Sequence, residues 1–190
     1  MTSTRLDGIL DFLRRAEALK SAPRSGWTVS GERESVAAHT WRLCLLAMVM
    51  TEELPGVDHA RVLRMLVVHD LGEAISGDIP APAQVLTSSK AVLERADLMS
   101  LIATLPDGPR AEILALWDEY ESAATPEARV AKALDKLETI LQHTQGANPP
   151  GFDYAFNLAY GVKQTSAVPE LAALRTILDA ETRRRADDTR

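Results

Sequence analysis

Cysteine is nearly absent from this 190-residue chain. The one thiol, Cys44, cannot form an internal disulfide, which excludes a cross-linked secreted scaffold and points to a reducing, cytoplasmic setting. Aromatic residues are sparse at 5%, while 46% hydrophobic and 25% charged residues match an ordinary soluble domain and exclude a disordered tail or a collagen-like repeat. Positive charge is also short: 21 Lys and Arg stand against 27 Asp and Glu, a net charge of −6. An acidic chain lacks the attraction that drives binding to a nucleic-acid polymer or an anionic membrane surface, so a small anionic substrate would need a local cation to meet it. No long apolar run is present. The stretch 43–50 is far too short to span a bilayer, and residues 1–10 lack the apolar core of a signal peptide. Internal repeats, low-complexity linkers and runs of period-two alternation are missing as well.

What the sequence does contain is helical periodicity. Leu6, Ile9, Leu10 and Leu13 mark an amphipathic helix over about residues 4–20. Residues 21–32, with Pro23, Gly26, Gly31 and an isolated Trp27, read as a loop, with room for a lone hairpin around 27–32. Ser35 caps a second helix running to about Leu54, where Pro55-Gly56 stops it. Asp58 caps a third that carries Val62, Leu66, His69 and Glu73 and ends near Gly77. A turn over 77–82 follows, then helices over about 88–105 and 110–121, separated by a break at 106–109. Thr125-Pro126 opens a helix to about Gly146. Asn148-Pro149-Pro150-Gly151 breaks the chain, and Pro169 opens a last helix whose charged tail, 181–190, is expected to fray. These elements predict an all-α, single compact helical bundle: one domain over 1–190, with a core over about 10–145 and a C-terminal helical extension over 152–187.

Polar residues interrupt the apolar stripes at three places. His39 lies in the stripe Val36, His39, Leu43, Leu46, Met50. His69-Asp70 follow Val67-Val68, and Asp135 sits beside Leu134, Leu137 and Leu141 on a face shared with Ala131 and Glu138. A buried imidazole or carboxylate needs a partner, and a metal ion satisfies several at once. Two imidazoles and two carboxylates make a mixed N/O set suited to a divalent transition metal with open water positions. Such an ion lowers the pKa of bound water and polarises a phosphoryl oxygen. Residue by residue the alternatives stay open. His39 alone fits a hydrogen-bonded core histidine, Asp135 alone fits an ion pair with Lys132 or Lys136, and a metal that only staples helices would leave no open position.

The order His39, His69-Asp70, Asp135 resembles the metal-binding set of the HD-domain phosphohydrolases, an all-α superfamily. The segment from His69 through Leu71, Gly72, Glu73, Ala74, Ile75, Ser76, Gly77, Asp78 and Ile79 to Pro80 resembles the HDxxE-x4-D segment of the HD-domain 5′-deoxynucleotidases. So do Pro23-Arg24-Ser25-Gly26-Trp27, the stretch Glu34 to His39, Trp117 to Glu121, and Ala133 to Glu138, in the right order over about residues 10–141. The resemblance implies a phosphomonoesterase that releases phosphate from deoxyribonucleoside 5′-monophosphates with one divalent cation, Co²⁺, Mn²⁺, Mg²⁺ or Zn²⁺. It implies that His39, His69, Asp70 and Asp135 hold the metal and that Glu73 and Asp78 are catalytic. Glu73 would position or deprotonate the attacking water or protonate the leaving oxygen; Asp78 would contact the sugar or assist proton transfer. It makes Arg24 and Trp27 the substrate contacts, a guanidinium fork for phosphate and an indole for base or sugar, although here Ser25 and Gly26 separate them. Lys90, early in the following helix, is a further cation that either meets an anion or is simply solvated. It also suggests a homodimer, through the apolar surface of 48–50 or of the last helix.

Other HD chemistries find less support. Glu73 is followed by Ala74 and not by the second acid of the guanosine-alarmone hydrolases. No Gly-Tyr-Pro tripeptide of the cyclic-dinucleotide phosphodiesterases occurs, and only His59 and His143 remain outside the motif for a second metal. A non-catalytic nucleotide-binding domain would not need Glu73. The expectation is therefore a cytoplasmic 5′-deoxynucleotidase acting on a small nucleotide, with no nucleic-acid polymer and no membrane as partner.

Overall fold

The longest helix among the described residues is the one whose two ends the sequence marks most clearly. In this computed structural model, which describes residues 3–78 and 89–188, helix α7 spans Pro126–Gln145. The Thr125 hydroxyl accepts from the Ala128 N–H at 3.1 Å, Pro126 fills a first-turn position that needs no donor, and Gly146 follows the last turn. Ala128, Val130, Ala131, Ala133, Leu134, Leu137 and Ile140 are all buried, so α7 is enclosed on nearly every face. A cap contributes about 1 kcal/mol, against roughly 1.5–3 kcal/mol for each buried Leu or Ile, so packing dominates. Around α7 lie α2 (Val36–Val49), α3 (His59–Val68), α6 (Asp107–Ser122) and α10 (Ala172–Asp188). The all-α class is as expected. Among the described residues no helix is long and apolar enough to cross a membrane.

Helix α1 (Ser3–Ala16) passes into a 3₁₀ turn, Glu17–Lys20, matching the expected first helix. The stretch that follows, read as a loop with room for a hairpin around 27–32, is a two-stranded ribbon whose strands extend beyond those bounds, β1 (Pro23–Trp27) paired antiparallel with β2 (Arg33–Ser35). Its tip closes with Thr28 N–H donating to the Glu32 carbonyl at 2.7 Å and Gly31 at φ 84°. The ribbon matters because it carries Arg24 inward.

Three boundaries differ from the sequence expectation for local reasons. Helix α2, capped by Ser35 as expected, ends at Val49 and not near Leu54. The Thr51 hydroxyl donates to the Met48 carbonyl at 2.7 Å, and the turn folds Leu54 back into the core at 2% exposure. Helix α3, capped by Asp58, does not continue to Gly77. It stops at Val68; the His69 carbonyl accepts from the Trp117 indole N–H at 3.1 Å, and bonds three residues apart carry the chain through 69–72 into the short α4, Glu73–Ser76. A Cβ on Gly72 would stand 2.8 Å from the Glu94 carbonyl of α5 (Ser89–Leu101), so this turn can pack there only as glycine. Helix α6 begins at Asp107, not Arg110, because Pro109 lies in its first turn, where a missing N–H is tolerated.

Of the expected 77–82 turn only Gly77 and Asp78 are described; Ile79, Pro80, Ala81 and Pro82, like Ser88 at the expected helix start, lie outside the described residues. Beyond the 148–151 breaker, α8 (Phe156–Ala159) and α9 (Val162–Ser166) lead to α10. The tail of α10, expected to fray, is helical through Asp188. Thr182 is fully buried, and Arg185 donates to the Gly146 carbonyl at 2.7 Å.

Candidate metal centre and active site

Four side chains from three segments meet beside a cavity of about 330 Å³, Asp70 and Asp135 lining it and His39 and His69 standing against them. Helix α2 supplies His39, the end of α3 supplies His69 and Asp70, and α7 supplies Asp135. The offered ligand atoms of His39, His69 and Asp70 all lie within 4.8 Å of one another. His39 Nε2 is 3.1 Å from Asp135 Oδ1, His69 Nε2 is 3.0 Å from Asp70 Oδ2, and His69 Nε2 stands 4.0 Å from Asp135 Oδ1. Both Nε2 atoms are buried and neither makes a hydrogen bond. Unbonded imidazole nitrogens converging on shared carboxylates can be bridged by a metal ion, and the two-imidazole, two-carboxylate set suits a divalent transition metal.

Each of these four candidate ligands is held from behind. His69 Nδ1 donates to the Leu66 carbonyl at 2.7 Å, which leaves Nε2 facing Asp70 and Asp135. His39 Nδ1 is hydrogen-bonded to the carboxylate of Glu138. Asp135 Oδ2 accepts from the Tyr120 hydroxyl at 3.0 Å and from Lys136 Nζ at 2.8 Å. Asp70 Oδ2 accepts from Arg24 Nη1 at 3.3 Å, and Arg24 Nη2 donates to Thr139 Oγ1 at 3.2 Å. Burial and Arg24 would each lower the His39 imidazole, but Glu138 and Asp135 on its two sides outweigh them and lift it to about 9. Burial would likewise raise Asp135 and Asp70, yet Lys136 and the histidines hold Asp135 well below the usual carboxylate range, and His69 with Arg24 do the same for Asp70. Asp70 and Asp135 are therefore both ionised, and their oxygens facing the two imidazole Nε2 atoms can take a divalent ion. A second acidic group, Glu34 and Glu138 around His39, faces guanidinium groups already, Arg24 Nε at 3.4 Å from Glu34 and Arg42 on Glu138, so a further cation has no place there.

Glu73 and Asp78 line the same cavity. Glu73 is 8% exposed and its Oε2 has no hydrogen-bond partner. Burial first, then the charges of Asp70 and Asp78, push its carboxyl up to about 9; burial also raises Asp78. Arg24 lines the cavity too. Burial would weaken its charge, but Asp70, Asp135, Asp78 and Glu34 together keep it firmly cationic. Lys90 reaches the cavity while paired to Glu94 at 3.1 Å.

Trp27 does not line the cavity. Its ring meets Phe152 edge-on at 6.1 Å and carries Arg33 over its face at 4.5 Å. The aromatic residues that do line it are Phe152, Phe156 and Tyr160, joined by His143. Sequence reasoning set that segment aside as a breaker and an extension, yet a signal was there: residues 152–160 hold four aromatics in a chain with three each of Phe, Tyr and Trp. It places Glu138 and Tyr120 in stretches that resemble the family without giving them a role, and it does not single out Arg42; Lys136, a possible partner for Asp135, is one.

With this geometry in view, the HD-domain family model matches residues 16–175. The chain belongs to the HD-domain family. Among its relatives, the 5′-deoxynucleotidase HDDC2 of Danio rerio is 36% identical over 139 residues, 72% of this chain and 68% of that protein. The Bos taurus protein of the same name is 34% identical over 178 residues, 91% of this chain and 85% of that one. Among solved structures, a predicted metal-dependent phosphohydrolase from Magnetospirillum magnetotacticum MS-1 superposes with a TM-score of 0.81 at 30% identity, covering 96% of this chain and 95% of the other. This HD-domain chain thus combines the family's fold with a candidate cluster for a divalent metal.

Proposed function

We propose that this HD-domain protein is a metal-dependent 5′-deoxynucleotidase that converts deoxyribonucleoside 5′-monophosphates to nucleoside and phosphate. The observation that carries the reading is the pair of buried, unbonded imidazole Nε2 atoms facing Asp70 and Asp135 at the end of a cavity that also holds Arg24. The names of the relatives above supply the substrate class. His39, His69, Asp70 and Asp135 hold the ion, which when bound polarises the phosphoryl group and makes a water nucleophilic near neutral pH. Arg24, oriented by Thr139 and Glu34, grips the phosphate through its fork of donors. Water oxygen joins phosphorus as the bond to the sugar O5′ breaks, one proton leaves the water and one reaches O5′. Glu73, with its free buried oxygen on the cavity, handles a proton in this exchange, and Asp78 lies on the loop beside it to contact the sugar or assist. Phe152, Phe156 and Tyr160 offer π-faces to the base, and Trp27 acts through Phe152.

The same reading puts the enzyme in the cytoplasm, in keeping with its single unpaired thiol. It gives the exposed Met48, Val49 and Trp41 to a homodimer. The whole of 1–190 then acts as one domain, its 152–187 extension completing the cavity wall.

The test is phosphate release by chelator-stripped protein reloaded separately with Co²⁺, Mn²⁺, Mg²⁺ or Zn²⁺. Deoxynucleotides, ribonucleotides, cyclic nucleotides and a guanosine alarmone are assayed side by side. Metal-dependent release from the deoxynucleoside monophosphates is expected; release from another class alone reassigns the substrate, and silence across the panel overturns the enzyme reading.

A further inference from the structure

The two imidazoles of the candidate centre are fixed in different ways. His69, just past the end of α3, leans on the carbonyl of Leu66 in that helix's last turn, 2.7 Å away, a contact no side-chain substitution at Leu66 removes. His39 leans on a side chain from another helix. Glu138, fully buried and one turn beyond Asp135 on α7, meets Nδ1 of the ring whose Nε2 faces Asp135, so one face of α7 grips the imidazole at both nitrogens. The other oxygen of Glu138 is taken by Arg42, whose Nε donates to Oε1 at 2.6 Å. Arg42 lies three residues after His39 on α2, and its Nη1 reaches Gln145 Oε1 at 3.1 Å. Neither Glu138 nor Arg42 lines the substrate cavity.

We propose that Arg42 and Glu138 are positioning residues for the metal, a two-step relay that turns the His39 ring so that Nε2 meets the ion. Arg42 orients Glu138, and Glu138 fixes which imidazole nitrogen carries the proton and which way the ring faces. Carboxylates behind metal-bound histidines of this kind alter affinity by roughly 10–100-fold when changed. The inference rests on the metal reading above, but it concerns two residues on the far side of the ligand, whose removal leaves every substrate contact in place.

The experiment measures metal affinity in the absence of substrate, by competition of Zn²⁺ and Co²⁺ between the stripped protein and a chromophoric chelator. The visible absorption of the Co²⁺ form is recorded as a signature of the coordination sphere. Glu138→Gln is expected to weaken binding by roughly 10–100-fold and to alter the Co²⁺ spectrum. Arg42→Met should weaken it by less, and the double variant should match Glu138→Gln alone, because Arg42 acts only through Glu138. Wild-type affinity and an unchanged spectrum in Glu138→Gln overturn the relay, as does additivity in the double variant. If Glu138→Gln fails to fold, Arg42 decides: loss in Arg42→Met with recovery in Arg42→Lys supports the relay, and no loss in either overturns it. A wild-type protein that takes up neither metal overturns the metal centre itself, a result distinguishable from a loaded wild type with unaffected variants.

Discussion

The two ends of the cavity are built by opposite means. At the candidate metal end, His39 and Asp135 lie on core helices and His69 and Asp70 on the turn that ends α3, and each is held by a charged or hydrogen-bonding partner: Glu138, Tyr120 with Lys136, the Leu66 carbonyl, and Arg24. At the other end, three aromatic rings come from the irregular stretch 152–160, and that stretch is fastened through its backbone. Arg175 of α10 donates to the carbonyls of Asn157, Leu158 and Tyr160 at 3.0, 2.9 and 2.7 Å, and His143 Nδ1 meets Asn157 Oδ1 at 2.9 Å. The first end fixes charged atoms and so suits chemistry. The second fixes flat apolar surface on a short segment and so suits recognition of a ring. Damage at the first end should therefore appear in turnover, and damage at the second in substrate affinity.

The sharpest break in that comparison separates two acids of the metal end. Asp135→Ala removes a ligand and is expected to abolish metal uptake and activity together. Glu73→Ala is expected to keep its metal while turnover falls by about 10²–10⁴-fold, the usual share of a positioned proton-transfer group. Metal content by elemental analysis, set beside single-turnover phosphate release, reads both; equal metal loss in the two variants removes the distinction. A smaller effect follows at Arg24. Arg24→Lys keeps the charge but loses the fork that reaches Thr139 and Glu34 as well as the cavity. The loss of one charge-assisted hydrogen bond, about 1.5–3 kcal/mol, lowers kcat/KM by roughly 10–150-fold. Smaller again, Phe156→Ala removes one face of the aromatic wall, worth about 1 kcal/mol or more where a base stacks. It should raise KM for nucleotides several-fold and leave kcat close to wild type. A fall in kcat with unchanged KM would mean that the wall serves the chemistry and not recognition.

The same contrast explains what the sequence made legible. At the candidate metal end the proposed ligands interrupt strong helical stripes, so His39 among Val36, Leu43 and Leu46 stands out, and the caps Ser35, Asp58 and Thr125 lie where their side chains predict. The break after Val68 was invisible because it depends on Trp117, 48 residues away, taking the His69 carbonyl. Arg24 reads as a loop residue in the sequence because a ribbon only a few residues long gives too little alternation to register. Trp27 faces Phe152 and not the cavity for a similar reason: which side of a short strand faces inward is set by the helix beneath it, where Gln142 bonds the Trp27 carbonyl. Phe152, Phe156 and Tyr160 stand four residues apart, yet among them only Phe156 lies in a helix, the four-residue α8, behind a Pro-Pro-Gly breaker that hides the spacing. Their role depends on α10 folding back far enough for Arg175 to hold the backbone between them.

The smallest expected effect lies at His143, where the two ends meet. Its ring is 5% exposed, its Nδ1 faces Asn157, its Nε2 lies 3.3 Å from Ser25 Oγ, and its edge meets Phe152 at 5.0 Å. Burial lowers its pKa first, the Asn157 contact works against that, and Arg24 lowers it further, so the folded value lies below that of the unfolded chain. The unfolded state therefore takes up the proton more readily. The stability this ring contributes is fully present above the unfolded pKa, near 6.5, and is lost as pH falls from there through the folded pKa. A single group changes stability by no more than about 1.4 kcal/mol per pH unit, so the signature is a shallow acid slope. His143→Gln should flatten that slope in urea midpoints measured on metal-free protein between pH 7 and pH 5, and should shift KM more than kcat because Asn157 loses its partner behind the wall. An acid slope identical in wild type and variant would assign it to the metal-end acids instead, and would separate the two ends more completely than their shared cavity suggests.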